Sequence, residues 1–208
     1  SRRQRQMCIR DRAKIVVLDP KNKFSKQGLF MQAWQRHYPG MIEWIDADTH
    51  GGIKNVNVAK MEFETDLDTF KADAASIVPA QRAGSIAMAA GVNDGDWCPI
   101  MPASMQSKAD ENIYVLGDAS IAASMPKSGF SANSQAKVAA NHIRGSLTGS
   151  KIFGARYANT CWSLVASNDG IKVGASYKAG DESIEATSKF VSQTDEAVSY
   201  THLTLPTT

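Results

Sequence analysis

The sequence predicts an α/β protein that ends in a small β-rich part. Three observations carry this reading. Lys14 to Asp19 is a compact β-branched run closed by Asp-Pro, the pattern of a buried strand in a parallel sheet. A second short apolar run, Tyr114 to Leu116, ends in Gly117-Asp118 and leads to a Ser- and Ala-rich helix, Ser131 to Arg144. From Ile171 onward the pattern turns to β: Ile171 to Tyr177 and Ser183 to Val191 read as strands, with turn residues at 168–170 and 179–181.

The elements between follow in order. Gly28 to Tyr38 forms a helix that sets Leu29, Ala33 and Trp34 on one face, and Pro39-Gly40 stops it. Ile42 to Ile45, Ile53 to Val58 and Met61 to Thr65 read as short strands, with a meander as the simplest arrangement. Ala74 to Val78 reads as another buried strand, and Pro79 to Gly84 turns the chain into a small-residue helix at Ile86 to Ala90. In the long helix, Ala132, Ala136, Ala139, Ala140 and Ile143 recur at helical spacing. Such small side chains let a helix approach a sheet or a ligand closely.

Length and composition set the bounds. The chain has 208 residues, 43% of them hydrophobic, enough for one large or two small domains. No apolar run nears the roughly 20 residues that cross a bilayer, so no membrane span is expected. Residues 1–12 hold five Arg, one Asp and Cys8 without apolar periodicity, and residues 199–208 break the composition at the other end. Both tails are expected to be non-native, in the manner of translated adapter sequence. Without residues 1–12 the chain carries 18 basic and 20 acidic side chains, a net of −2, so its overall +2 does not argue for a nucleic-acid partner. A genuine basic arm for nucleic acid or anionic lipid is the alternative. Cys98 and Cys161 are too few for a disulfide scaffold and lack metal-type spacing. The four His are scattered, so no metal site is expected, and no C-x-x-C-H haem attachment occurs.

The chemistry-bearing residues lie around the Gly-Asp turn. In an open α/β sheet, ligands sit beyond the carboxyl ends of the strands. Gly117 lets the backbone approach a flavin or dinucleotide, and Asp118 offers a carboxylate to a sugar-like hydroxyl; an ordinary turn closing a strand is the local alternative. Asp19 closes a strand as a ribose-binding acid would, but no glycine fingerprint precedes it, so a turn role is expected. Cys98, within Asp96 to Pro99, has a thiol suited to nucleophilic and two-electron redox chemistry. Residue chemistry leaves open a thiol packed as a small hydrophobe. Cys161 reads as a packed structural thiol, and a bond between it and Cys98 depends on the fold. Lys127, Ser128, Ser131 and the first backbone N–H groups of the long helix offer positive potential to an anion, with Ser capping as the alternative. Gly129 to Asn133 falls short of the G-x-S-x-G hydrolase elbow because it lacks the second Gly.

Asp96 to Pro99, Met125 to Ala140 and Asn159 to Leu164, with Phe24 to Gln27 and Pro79 to Gly84, occur in one order and spacing. Together they closely resemble the flavoprotein subunit of flavocytochrome c sulfide dehydrogenase, over about Ala13 to Thr194, which corresponds to its C-terminal half. The resemblance implies a fragment of the two-dinucleotide-domain, disulfide-reductase-like FAD/NAD(P)-binding fold with a small C-terminal α+β domain. Residues 13–78 would be the rest of the second dinucleotide-like domain, 79–150 the returning part of the FAD domain and 151–198 the C-terminal domain. It implies FAD, contacted by Gly117, Asp118, Lys127, Ser128 and Ser131, with the last three facing the anion that develops at N1 and C2=O of the reduced ring. It makes Cys98 one half of a redox-active disulfide over the flavin, its partner upstream of this chain. It further implies hydrosulfide as substrate, a cytochrome c subunit carrying haem c as acceptor, and a periplasmic location. No amphipathic C-terminal helix is apparent, which favours the cytochrome over a quinone. A sulfide:quinone oxidoreductase and a non-catalytic remnant serving as an interaction domain are the rival readings. The 208 residues alone are expected to bind flavin poorly, because they hold no phosphate-cradling glycine turn.

Overall fold

The computed structural model describes residues 13–193, which divide into two units between Val78 and Pro79. In the first, β1 (Ile15–Leu18) lies parallel to β2 (Ile42–Ile45), with Ile15 opposite Ile42 and Leu18 opposite Ile45. Parallel strands need a crossover, and α1 (Gln27–His37) provides it. Its expected inner face is seen: Ala33 is fully buried, and Trp34 joins Phe24, Phe30 and Trp44 in an aromatic cluster with centroids 5.5–6.1 Å apart. Arg36 and His37 in the last turn suit the helix dipole. β1 is parallel as expected but only part covered, with Ile15 and Val16 exposed.

Asp46 caps a short helix that the sequence did not announce, α2 (Ala47–His50), by accepting from the Thr49 amide at 2.8 Å. The antiparallel meander consists of β3 (Ile53–Asn57), β4 (Glu62–Thr65) and β5 (Thr69–Lys71). β2 does not belong to it, because the crossover through α1 commits that strand to β1. Ala74 to Val78 forms no strand and is exposed throughout: without a covering layer its apolar side chains gain nothing from joining a sheet edge. Asp19 is a turn residue, its carboxylate accepting from the Lys21 amide at 3.0 Å and from Trp44 Nε1 at 3.1 Å.

The second unit starts with α3 (Ser85–Ala89) and a two-residue parallel pair, β6 (Cys98–Pro99) with β7 (Ser120–Ile121). Then come α4 (Gly129–Thr148) and three long antiparallel strands, β8 (Arg156–Ala166), β9 (Asp169–Ala179) and β10 (Ile184–Gln193), with β9 central. α4 lies against β8, and Met105, Met125, Val138, Tyr157, Tyr177 and Ile184 form the main core. Ala83, Ala87, Val92 and Cys98 form a second cluster.

Two expectations need correction here. Tyr114 to Leu116 is not a ladder strand: Tyr114 makes one isolated bridge to Gln106, and the chain passes into a 3-10 turn at Gly117–Ala119. On α4 the buried face is Ser131, Gln135, Val138, Ala139 and Gly145, whereas Ala140 and Ile143 point to solvent. The polar pair Ser131 and Gln135 starts that face, so an alanine count alone misplaces it.

Candidate functional site

A cleft of about 150 Å³ opens beside the Gly-Asp turn, with Trp97, Gly117, Ala122, Lys127, Ser131 and Gln135 among its walls. Gly117 sits in left-handed backbone at φ +70°, and a Cβ there would touch Ala132 Cβ at 3.4 Å. Glycine adopts this conformation without strain and keeps bulk off the cleft floor. The Gly117 amide donates to Gln135 Oε1 at 2.6 Å, and Ser120 Oγ donates to the Gly117 carbonyl at 2.8 Å. Asp118 is exposed and does not line the cleft; its carbonyl accepts from Lys127.

Lys127 is the charged centre of the site. Its Nζ donates to the Asp118 carbonyl and, at 3.1 Å, to the Ser120 carbonyl, and lies 3.6 Å from the centroid of the Trp97 ring. Burial disfavours the ammonium and lowers its pKa, while Asp118 and Cys98 act in the opposite direction. Cys98 stands opposite Ser120 in the β6–β7 pair, completely buried and free of any disulfide. Burial pushes its thiol pKa up, against a smaller downward pull from Lys127. The thiol is therefore held in its neutral form at ordinary pH.

Ser128 is the N-cap of α4, its Oγ accepting from the Ser131 amide at 3.1 Å and donating to Asn159 Oδ1. Ser131 is buried and donates from Oγ to the same Asn159 oxygen at 3.1 Å. Asn159 Nδ2 reaches Cys161 Sγ at 3.3 Å along the same strand, and Cys161, like Cys98, is free of any disulfide.

The structure thus brings Gly117, Lys127 and Ser131 to one cleft, sets Cys98 directly behind its Trp97 wall, and leaves Ser128 as a cap and Asp118 at the exposed edge. Sequence reasoning missed Gln135 and Asn159. Gln135 lies one turn beyond Ser131 on the same face, a spacing that could have found it. The donor set fits a flavin: a small-residue floor, apolar walls from Ala122 and Met125, and an ammonium with a helix N-terminus suit a planar ring whose reduced form carries negative charge.

Comparisons with known proteins agree with this. Residues 5–79 match the family model of the sulfide dehydrogenase [flavocytochrome c] flavoprotein chain, central, and residues 154–204 match that of flavocytochrome c sulphide dehydrogenase, flavin-binding. The two segments together span more than half of the 208 residues. Among solved structures, the sulfide:quinone oxidoreductase from the hyperthermophilic bacterium Aquifex aeolicus matches with a TM-score of 0.61 at 11% identity, over 96% of this chain and 58% of that one. That likeness shows the fold: the mixed α/β architecture expected from the sequence is similar to that of this flavoprotein, of whose length the chain spans 58%. Both matched segments come from models of one family, and over them the chain is similar to the flavoprotein chains of flavocytochrome c sulfide dehydrogenase.

Proposed function

We propose that the chain is the C-terminal part of an FAD-dependent sulfide dehydrogenase that oxidises hydrosulfide through a redox disulfide containing Cys98. The observation that carries this is the meeting of three separated segments, Trp97-Cys98, Gly117 to Ser120 and Lys127 to Ser131, at one Ala-floored cleft in a chain matching that family on both flanks. In the complete protein, the second sulfur of the disulfide lies outside residues 13–193. Hydrosulfide attacks one sulfur; a new S–S bond forms as the disulfide breaks, leaving a persulfide on one cysteine and a thiolate on the other. FAD, when bound, supplies the two-electron acceptor for that thiolate. Trp97 and Met125 shield the cleft, while Lys127 and the first turn of α4 present positive potential to it. On this reading Gly117 would admit the cofactor close to the backbone, and Asp118, at the exposed edge of the cleft, would offer its carboxylate to a cofactor hydroxyl. A cytochrome c subunit carrying haem c takes the electrons onward, in the periplasm.

The test uses the complete protein with its cytochrome subunit. Sulfide should bleach the flavin and reduce cytochrome c faster than decylubiquinone, and Cys98→Ser should abolish the bleaching. Normal bleaching in that variant would refute the role given to Cys98. A complete chain that stays colourless with added FAD would refute the flavin reading.

A further inference from the structure

Lys127 has three N–H donors and no acceptor. Two of them are met by the Asp118 and Ser120 carbonyls, and the remaining face of the ammonium rests on the Trp97 ring at 3.6 Å from its centroid, well inside the roughly 6 Å reach of a cation–π contact. Those three partners flank the two-rung pair that holds Cys98: Trp97 immediately precedes β6, Asp118 lies in the turn before β7, and Ser120 faces Cys98 on β7. The ammonium is thus directed at its own chain and closes the Cys98 strand onto the Gly-Asp turn.

We propose that Lys127 is the positioning residue for Cys98, clipping Trp97 to the Asp118 and Ser120 carbonyls and so fixing a positive charge within electrostatic reach of the sulfur. Around that sulfur the packed neighbours Ala83, Ala87 and Val92 are apolar, so among the described residues Lys127 is the charged group that acts on it, while Asp118 acts on Lys127. Its effect is to make the thiolate less unfavourable in a setting that otherwise suppresses it. The use of that thiolate in sulfide oxidation rests on the function proposed above; the geometry and the charge coupling do not.

The experiment is NMR of the full chain, reduced and without cofactor, carrying [13Cβ]cysteine, with the Cys98 signal assigned by its loss in Cys98→Ser. In the parent chain, the ε-methylene protons of Lys127 should lie upfield through the Trp97 ring current, which tests the clip with no substitution at all. Lys127→Gln keeps donors for the carbonyls but removes the charge, and should raise the pH midpoint of Cys98 ionisation by about one unit. Lys127→Arg should hold the midpoint at the parent's. An unshifted ε-methylene, an unchanged midpoint in the Gln variant, or an Arg variant that moves as far as the Gln variant would each overturn the proposal. None of these readouts involves sulfide or flavin, so failure of the functional reading would leave them intact.

Discussion

Gln135 shows how much of this site depends on single polar contacts. Its Oε1 is the acceptor for the Gly117 amide at the wall of the cleft, and the side chain is 2% exposed. Gln135→Leu removes that acceptor from a part-buried donor and should cost about 1 kcal/mol in urea unfolding. Tyr157 is a second such residue. Its hydroxyl donates to the Pro102 carbonyl, and burial pushes its pKa well above the ordinary value. The folded chain then holds the phenolic proton more tightly than the unfolded chain, so this stabilisation is complete below about pH 10, the unfolded value, and is lost as pH rises toward the folded one. Unfolding midpoints measured from pH 8 upward should fall in the parent, and Tyr157→Phe should flatten that fall. What was legible at this scale is instructive. Gly117, Lys127 and Ser131 were legible through the family resemblance, since a turn or a helix cap accounts for such residues on local chemistry alone. Gln135 and Asn159 did not, because their partners are 18 and 28–31 residues away and only the fold brings them together.

At the scale of elements, glycines set how closely the second unit packs. A Cβ on Gly174 in β9 would come within 2.4 Å of the Phe190 ring and 2.7 Å of the Asn159 carbonyl. The Phe190 ring can swing aside, but the Asn159 backbone of β8 cannot, so Gly174→Ala strains the β8–β9 pairing and should cost about 2 kcal/mol. Gly145 does the same for α4, where a Cβ would meet Ile152 Cγ1 at 2.2 Å. Gly145→Ala should lower the thermal midpoint, whereas Gly84→Ala, with open space around it, should not. The sequence foretold α1, α4 and the strands β9 and β10 because periodicity and turn residues agreed there. It failed at Ala74 to Val78, where an apolar run was read as a strand but stays exposed and pairs with no sheet among the described residues, and at Tyr114 to Leu116, where the turn begins before a ladder can form.

For the molecule as a whole, the exposed stretch 73–82 joins two compact units. Brief proteinase K treatment should cut there first and give fragments that mass spectrometry assigns to the two units; first cuts inside β8–β10 would contradict that division. The parallel pair β6–β7 has a wider meaning. It has only two rungs, Cys98 with Ser120 and Pro99 with Ile121, and single bridges flank it on the β6 side, Asp94 with Trp97 and Ile100 with Ser107. A slip of one residue would put Pro99, which has no N–H, in the place of Cys98 and turn the thiol to the other face. The connection of residues 100–119 also carries the core residue Met105 and the Gly117 turn, so an inserted residue is tolerated only where exposed loop absorbs it, and destroys the sulfur's address when it is absorbed as register.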